Sequence, residues 1–212
     1  MKLLVLGATG DIGEAVLQAA VTAGHDVTAF VRSPDKLGDV RDRLQVIKGD
    51  LTDAAAVASA MTGTDAVISA IGSSPDRAQL DAPATAVRLI LAAMGSAGVR
   101  RFVGLAGGAV NVPGEWKPLS GRITTALVRL LARNVVEAKQ REFEVVSRSD
   151  LDWTMVRPPR VVAGEPTGRV EIGPKLHGFQ VTRGDLATAM VTLATGSDWL
   201  RQAPYVSESR QR

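Results

Sequence analysis

Residues 7–13, with the sequence GATGDIG, contain three glycines whose spacing suits the binding of phosphate groups. They follow a short apolar run, Lys2 to Leu6, which predicts a buried strand, and they precede a helix-forming segment. Gly7 permits a tight turn, Gly10 lets the backbone approach a diphosphate, and Gly13 lets the helix pack closely on the strand. The spacing is G-x-x-G-x-x-G rather than G-x-G-x-x-G, but its position after the first strand indicates a dinucleotide-binding loop.

A basic residue follows the second predicted strand, where dinucleotide sites distinguish between two related cofactors. This strand ends at Arg32, and Ser33 and Lys36 come shortly after it. Sites for NAD usually carry Asp or Glu here, which accepts hydrogen bonds from the ribose hydroxyls. A guanidinium instead suits a phosphate dianion, and Lys36 adds a second positive charge. The residues therefore favour NADP(H), with a solvated surface charge at Arg32 as the alternative.

Two further strand ends carry candidate cofactor contacts. Asp50 and Leu51 follow the third predicted strand, where such residues commonly flank an adenine; a turn or capping role for Asp50 is the alternative. Ala70, Ile71 and Gly72 end the fourth strand. Ligands of open α/β folds bind at the carboxyl edge of the sheet, so these residues are predicted to line the cofactor site.

The elements that would position these residues alternate along the first three quarters of the chain. Strands are predicted at Lys2–Leu6, Asp26–Val31, Leu44–Lys48, Ala66–Ala70, Arg101–Leu105 and Asp152–Arg157, and intervening helices at Asp11–Ala23, Ala54–Ala60 and Ala82–Ala97. This order predicts an α/β fold, a Rossmann-like doubly wound parallel sheet with a small C-terminal substrate region. We expect one NAD(P)-binding Rossmann domain over residues 1–212, with a cofactor-binding core at 1–157 and a substrate-side extension at 158–212.

The second half of the chain is less regular. A long loop is predicted from Ala106 to Gly121, followed by a helical stretch from Ile123 to Ser149 with a break near Arg133. The remaining predicted elements are a loop with short strands at Ala163–Gly178, a helix at Gly184–Ala194 capped by Thr182, and an edge strand at Tyr205 and Val206.

Composition excludes several classes of protein. The chain has 45% hydrophobic and 22% charged residues and a net charge of +3, with basic residues scattered among acids, so we expect no nucleic-acid partner. It has no cysteine, which excludes disulfides and a thiolate metal site, and its two histidines are far apart, so no metal is expected. The first apolar run is too short for a secretory signal, and no stretch is long enough to span a membrane. These features fit a cytoplasmic protein.

Five stretches together resemble a known family. GATGDIG, VTAFVRSPDKL, VIKGDLTD, DAVISAIGS and LDWTMVRPP are similar to the atypical short-chain dehydrogenase/reductase group with NAD(P)H-binding domains. Within that group the chain resembles the flavin reductase and biliverdin-IXβ reductase type, and more distantly the NmrA-like regulators. The resemblance runs from Lys2 to about Val206. It implies a Rossmann fold, NADPH as hydride donor and a shallow acceptor site for flavins or tetrapyrroles.

The resemblance also assigns residues. By match of motif, the cofactor contacts would be Gly7, Thr9, Gly10, Asp11, Ile12, Arg32, Asp50, Leu51, Ile71 and Gly72. Pro158 and Pro159 would lie by the nicotinamide and Arg160 by the substrate. Two departures from the flavin reductase type leave the identity of the acceptor open. The segment Leu105–Ala109, which includes Gly107 on the substrate side, has no hydroxyl where that type has a Ser-containing segment. Arg160 stands where that type has His.

A proton donor of the usual short-chain type is missing. That mechanism needs a Tyr four residues before a Lys, but Val135 precedes Lys139 at this spacing and the one tyrosine is Tyr205. Lys139 is thus the predicted catalytic residue, contacting the ribose or the acceptor, with a solvated helix charge as the alternative. Trp116 is predicted to stack on a planar acceptor or anchor its loop. His177 is predicted to face the substrate or to be a plain loop residue.

We therefore expect an NADPH-dependent reductase that passes a hydride to a small planar acceptor such as a flavin, quinone or tetrapyrrole. Two alternatives remain open. One is an NADP-sensing regulator without turnover, and the other is a redox-neutral isomerase or epimerase, which needs an acid or base. The chain is expected to be a monomer or a weak homodimer.

Overall fold

Strands and helices alternate along the chain in the structure, a computed structural model that describes residues 1–115 and 119–209. In the first part the elements are β1 (Lys2–Leu6), α1 (Asp11–Thr22), β2 (Asp26–Val31), β3 (Gln45–Lys48), α2 (Ala54–Ala60), β4 (Ala66–Ser69), α3 (Ala82–Ala97) and β5 (Arg101–Leu105). The second part contains α4 (Leu119–Leu131), α5 (Arg133–Ser147), β6 (Asp152–Val156), β7 (Val161–Val162), β8 (Val170–Gly173), β9 (Val181–Thr182), α6 (Arg183–Thr195) and β10 (Tyr205–Glu208).

The central sheet is parallel throughout, with the strand order β3-β2-β1-β4-β5-β6. The order reverses between β1 and β4, which lie side by side with Leu6 opposite Ser69. Open α/β sheets bind ligands outside the carboxyl ends of the strands at such a reversal. The predicted Rossmann-like doubly wound fold is confirmed, and the ends of β1, β2 and β4 meet where the candidate residues lie.

Each face of the sheet is covered by helices. Leu3 and Val5 pack on the side of α1 and α6, whereas Leu4 and Leu6 pack on the side of α2, α3 and α5. Because both faces are buried, β1 is apolar at every position after Lys2, as expected for an inner parallel strand. This two-sided burial fixes β1 and therefore the loop that leaves its carboxyl end.

The region after β6 forms two small sheets beside the main one. β7 pairs with β9 in parallel, and β8 pairs with β10 in the antiparallel sense. The side chain of Thr182 caps α6, as predicted, by accepting a hydrogen bond from the amide of Asp185. Since α6 packs on α1 within the core, this region is joined closely to the rest of the molecule. The division at residue 158 stays a prediction.

Local structure between β5 and α6 agrees with the sequence-based predictions at one point and differs at two. The break predicted near Arg133 is confirmed, because Ala132 separates α4 from α5. The predicted loop from Ala106 to Gly121 is wrong at its end, since α4 begins at Leu119 and includes Gly121. The strands β7 and β9 were not predicted, and their pairing is between residues far apart in sequence.

Candidate functional site

The glycine loop, residues 7–13, is packed tightly against β4. Gly7 has a φ of 72°, and a Cβ there would lie 2.7 Å from the carbonyl carbon of Ala70. A Cβ at Gly13 would lie 2.1 Å from the carbonyl oxygen of Gly7. Side chains do not approach rigid backbone so closely, so both positions require glycine. The tight turn and the close packing of helix and strand predicted from the glycine spacing are both present.

The N-terminus of α1 presents backbone donors without a capping side chain. Gly10 is the N-cap, and a Cβ there would approach the Gly7 carbonyl oxygen at 3.5 Å and meet no other heavy atom within 4 Å among the described residues. The first amides of a helix lack intrahelical acceptors and lie at the positive end of its dipole. Thr9 and Gly10 are exposed beside them. This geometry suits an anionic diphosphate.

Asp11 and Ile12 have side chains engaged with the protein. The Asp11 carboxylate accepts a hydrogen bond from Arg183 Nη2 at 2.8 Å, which links the first turns of α1 and α6. Ile12 is partly buried against the core. Their predicted contact with a cofactor therefore rests on their backbone amides.

Arg32 and Asp50 are brought near one another at the ends of β2 and β3. Arg32 is exposed, and Ser33 and Lys36 are exposed close behind it. The Asp50 carboxylate accepts hydrogen bonds from the Thr52 amide at 2.9 Å and its hydroxyl at 2.8 Å. These bonds first, and then the charge of Arg32, hold the pKa of Asp50 below its usual value.

The turn role that was the alternative for Asp50 is thus observed, and it leaves one carboxylate oxygen for other partners. Asp50 Oδ1 accepts both bonds from Thr52. Leu51, the other predicted adenine neighbour, is partly buried against the core face that carries α2. The sequence-predicted residues of β2 and β3 therefore lie together at one side of the glycine loop.

The end of β4 faces the glycine loop directly. Ala70 is buried beneath Gly7, Ile71 is partly buried and Gly72 is exposed. Within the described part of the chain, the hydroxyls of Ser69 and Ser73 are buried without a hydrogen-bond partner. Ser69 was not among the predicted residues, although its place at the last position of β4 was a signal for it.

Lys139 reaches the same edge from α5. It is 6% exposed, and its Nζ donates hydrogen bonds to the Ile71 carbonyl oxygen at 2.6 Å and to Glu142 Oε2 at 2.7 Å. A solvated helix charge, the alternative in the sequence, does not describe this environment. The predicted catalytic lysine is instead held at the end of β4.

Sequence reasoning missed Glu142, the partner of Lys139. Its side chain is fully buried, and burial raises the pKa of its carboxyl while the charge of Lys139 opposes that rise. The signal was the i,i+3 spacing of Lys139 and Glu142, which places the two side chains on one face of a helix.

The loops after β5 and β6 meet on the expected acceptor side. Gly108 donates its amide to the Pro158 carbonyl oxygen at 2.8 Å, and Gly107 beside it has a φ of 110°. Arg160 is exposed, and its carbonyl oxygen accepts the Val181 amide at 2.9 Å. The structure thus brings Gly107 and Pro158 together, with Arg160 two residues further on.

The other two acceptor-side candidates differ in what the structure describes. His177 lies between β8 and β9, with its Nε2 3.1 Å from Glu171 Oε1. Trp116 lies outside the described residues, so its predicted stacking stays a prediction.

A buried charged cluster ties the loop after β5 to the last strand, and the sequence did not reveal it. Arg157, which is 2% exposed, donates two hydrogen bonds of 2.8 Å to Glu115. Its guanidinium lies 4.0 Å from the ring centre of Tyr205 and donates to the Ala203 carbonyl oxygen. Burial, opposed by the charge of Arg157, raises the pKa of Tyr205 to about 12. Tyr205 is therefore a structural residue rather than the missing proton donor.

Within residues 1–115 and 119–209, His, Asp and Glu form no group of three suited to a metal ion. None of the described helices is both long enough and apolar enough to cross a membrane.

Residues 7–196 match the NAD(P)H-binding family, and the chain belongs to it. This confirms at family level the resemblance to NAD(P)H-binding short-chain reductases. A Streptomyces griseus protein, (4-alkanoyl-5-oxo-2,5-dihydrofuran-3-yl)methyl phosphate reductase, is 31% identical over 159 residues, which are 74% of this chain and 46% of that protein. The chain spans less than half the length of the curated relatives that it matches.

Solved structures share the fold across nearly the whole chain. The anaerobillin reductase ChuY of Escherichia coli O157:H7 superposes with a TM-score of 0.80 at 22% identity, covering 100% of this chain and 99% of that one. A short-chain dehydrogenase/reductase of Veillonella parvula in complex with NADP gives a TM-score of 0.78 at 19% identity, covering 98% and 94%. At these identities the similarity establishes the Rossmann-like fold.

Proposed function

We propose that this protein is an NADPH-dependent reductase that transfers a hydride to a small planar acceptor such as a flavin, a quinone or a tetrapyrrole. The observation that carries the proposal is the open N-terminus of α1, with exposed Arg32 at the end of the neighbouring strand β2. Together they offer donors for a diphosphate and for one additional phosphate. Membership of an NAD(P)H-binding family supports the binding of a nicotinamide dinucleotide.

The residues present fit a dinucleotide phosphate. The open space at Gly10 and the first amides of α1 would hold the diphosphate, while Arg32, Ser33 and Lys36 would hold the additional phosphate. The remaining predicted contacts are Gly7, Thr9, Asp11, Ile12, Asp50, Leu51, Ala70, Ile71, Gly72, Lys139 and Pro158. When bound, NADPH would supply the hydride. A fold neighbour crystallised with NADP supports this choice of cofactor.

Lys139 would contribute electrostatics to the reaction. A planar acceptor that receives a hydride gains negative charge, and a fixed ammonium stabilises that charge without moving during the reaction. Nζ is held by Ile71 and Glu142, so its position is set before any ligand binds. A flavin or quinone can take its proton from water, which fits the burial of Tyr205 away from such a role.

The acceptor would lie between the loops after β5 and β6. The residues that we assign to it are Gly107, Trp116, Arg160 and His177. Relatives with reductase names support the reaction class. We further propose that the protein acts in the cytoplasm as a monomer or a weak homodimer, with no nucleic-acid or membrane partner.

The cofactor assignment is tested by Arg32→Asp. We expect NADPH affinity, measured by enhancement of its fluorescence, to fall about tenfold to a hundredfold, because charge-assisted hydrogen bonds to the phosphate are lost. Affinity for NADH should change by less than about twofold. Arg148→Asp is the matched control, because Arg148 is an exposed residue after α5, at the opposite edge of the sheet.

Equal losses for NADPH and NADH in the Arg32 variant would contradict the phosphate role. Reductase activity is tested separately by following NADPH oxidation with FMN, riboflavin, menadione or biliverdin as acceptor. Tight NADPH binding without turnover of any acceptor would favour the sensing regulator. Conversion of a substrate without net oxidation of NADPH would favour the isomerase or epimerase.

A further inference from the structure

Glu142 is a buried carboxylate for which the proposed hydride transfer has no direct use. Its side chain has no exposed surface, and within the described ranges its Oε1 is buried without a hydrogen-bond partner. Placing a carboxylate in such a site is unfavourable unless a partner compensates for the lost water. The buried neighbours on the same helix, Ala138, Phe143 and Val146, are apolar. Packing alone would therefore be better served by an apolar residue at this position.

The partner that compensates Glu142 is Lys139, which also contacts the segment after β4. An ammonium has three N–H donors, and Lys139 uses two of them in its hydrogen bonds to Glu142 and to the Ile71 carbonyl. The backbone of Ala70 and Ile71 is also the surface against which Gly7 packs. Asn134, five residues before Lys139, donates to the Pro75 carbonyl oxygen at 2.7 Å. Two side chains of α5 thus hold the segment that follows β4.

We propose that Glu142 is a positioning residue, whose carboxylate orients the ammonium of Lys139 so that its third N–H meets the ligand at the end of β4. The ligand, a cofactor hydroxyl or the reduced acceptor, rests on the proposed function. Glu142 itself touches neither. It acts through Lys139, because its Oε2 accepts the 2.7 Å hydrogen bond that fixes where Nζ lies.

No other charge competes strongly for this pair in the described part of the chain. On α3, Asp81 at the N-cap pairs with Arg141, and Arg88 is exposed. On β6, Asp152 pairs with Arg100. Arg129 of α4 lies nearer the start of α5, in the groove formed with Arg133 and Glu137. Lys139 is the one charged group that shifts the pKa of Glu142 among the groups described.

The test is Glu142→Gln, which keeps the shape and removes the charge. Its control is Glu144→Gln on the exposed face of the same helix. Affinity for NADPH is measured by fluorescence, and kcat/KM is measured wherever an acceptor is turned over. We expect Glu142→Gln to bind NADPH about tenfold more weakly, because a misplaced ammonium loses one charge-assisted hydrogen bond to the ligand. Glu144→Gln should bind within about twofold of the wild type.

Glu142→Asp, which keeps the negative charge, should bind NADPH more tightly than Glu142→Gln, because a carboxylate is again available to hold the ammonium of Lys139. A Glu142→Gln protein whose melting temperature falls while its affinity for NADPH stays within about twofold of the wild type would overturn the proposal, because Glu142 would then be merely structural.

A second variant covers the case in which Glu142→Gln does not fold. Lys139→Met with Glu142→Leu replaces both partners by apolar residues, a change that buried ion pairs often tolerate. This protein should bind NADPH about tenfold more weakly than the wild type. Wild-type affinity in this variant would overturn the proposal. The binding readout needs no acceptor, so a failure to find turnover tests the proposed reductase and leaves this test intact.

Discussion

Substitution of Gly13 by alanine should separate the packing of the glycine loop from ordinary helix propensity. The added Cβ would lie 2.1 Å from the Gly7 carbonyl oxygen and 2.8 Å from Ala8 Cα, and neither backbone atom can rotate away. α1 would have to move by about 1 Å, and overpacking of this kind costs about 1–3 kcal/mol. Alanine returns up to about 1 kcal/mol through its helix propensity. We expect a net loss of about 1–2 kcal/mol in the free energy of unfolding, with weaker NADPH binding because the helix amides move.

Gly10→Ala should act mainly on NADPH binding, with a smaller loss of stability than Gly13→Ala. Its Cβ would meet only the Gly7 carbonyl oxygen, at 3.5 Å among the described atoms, so no clash follows. The change from glycine to alanine at an N-cap costs a few tenths to about 1 kcal/mol. The methyl group would, however, occupy the space where the backbone is proposed to approach a diphosphate. NADPH affinity should therefore fall by more than about tenfold.

Gly95→Ala in α3 is the control for both variants. A Cβ there meets no heavy atom within 4 Å among the described residues, so only helix propensity acts and stability should rise by up to about 1 kcal/mol. Unfolding in urea gives the stability, and NADPH fluorescence gives the affinity. Gly13→Ala matching Gly95→Ala in stability would refute the packing argument. Gly10→Ala binding NADPH like the wild type would refute the position of the diphosphate.

Two further substitutions test buried charged groups outside the glycine loop. Glu115→Gln should lower the free energy of unfolding by about 3 kcal/mol, because Arg157 would stay buried without its counter-charge. A loss of less than about 1 kcal/mol in the free energy of unfolding, measured in urea, would contradict this. Burial of Asp185 raises the pKa of its carboxyl. Hydrogen bonds from Thr167, Thr182 and Gly168 lower this pKa by more than burial raises it, so the net pKa lies below the ordinary value. A depressed pKa stabilises the fold above the pKa of the unfolded chain, and this contribution is lost as the pH falls below about 4. Asp185→Asn should therefore be less stable near neutral pH and should lose stability less steeply in acid, as urea midpoints at several pH values would show.

Much of the fold follows from local patterns. β1, β2 and β5 are continuous apolar or β-branched runs, and their predicted bounds agree with the observed ones. The start of α4 was missed because Gly121 and the residues around it favour a loop, and tertiary context outweighs one glycine in a helix. The two-residue strands β7 and β9 are too short to show any periodicity, and their pairing depends on a long-range contact.

The same distinction between local sequence patterns and long-range contacts applies to the candidate site. The glycine loop is visible in the sequence because its function requires glycines at fixed spacing within one turn. Burial of Lys139 could not be read from its neighbours, because Glu137, Arg141 and Glu142 give α5 a charged appearance while only one face packs inward. The pairing of Arg157 with Glu115 joins residues 42 positions apart, and nothing local marks either as a partner.

The pairing of Arg157 with Glu115 limits how this scaffold can be re-engineered to bind another ligand. The guanidinium of Arg157 serves Glu115 from one loop and Tyr205 from the final strand at once. A chimaera that exchanged only the segment after β6 would separate these three side chains, and an unmatched ion would then sit in the interior. Any segment transplanted into this region therefore has to bring equivalents of Glu115, Arg157 and Tyr205 together.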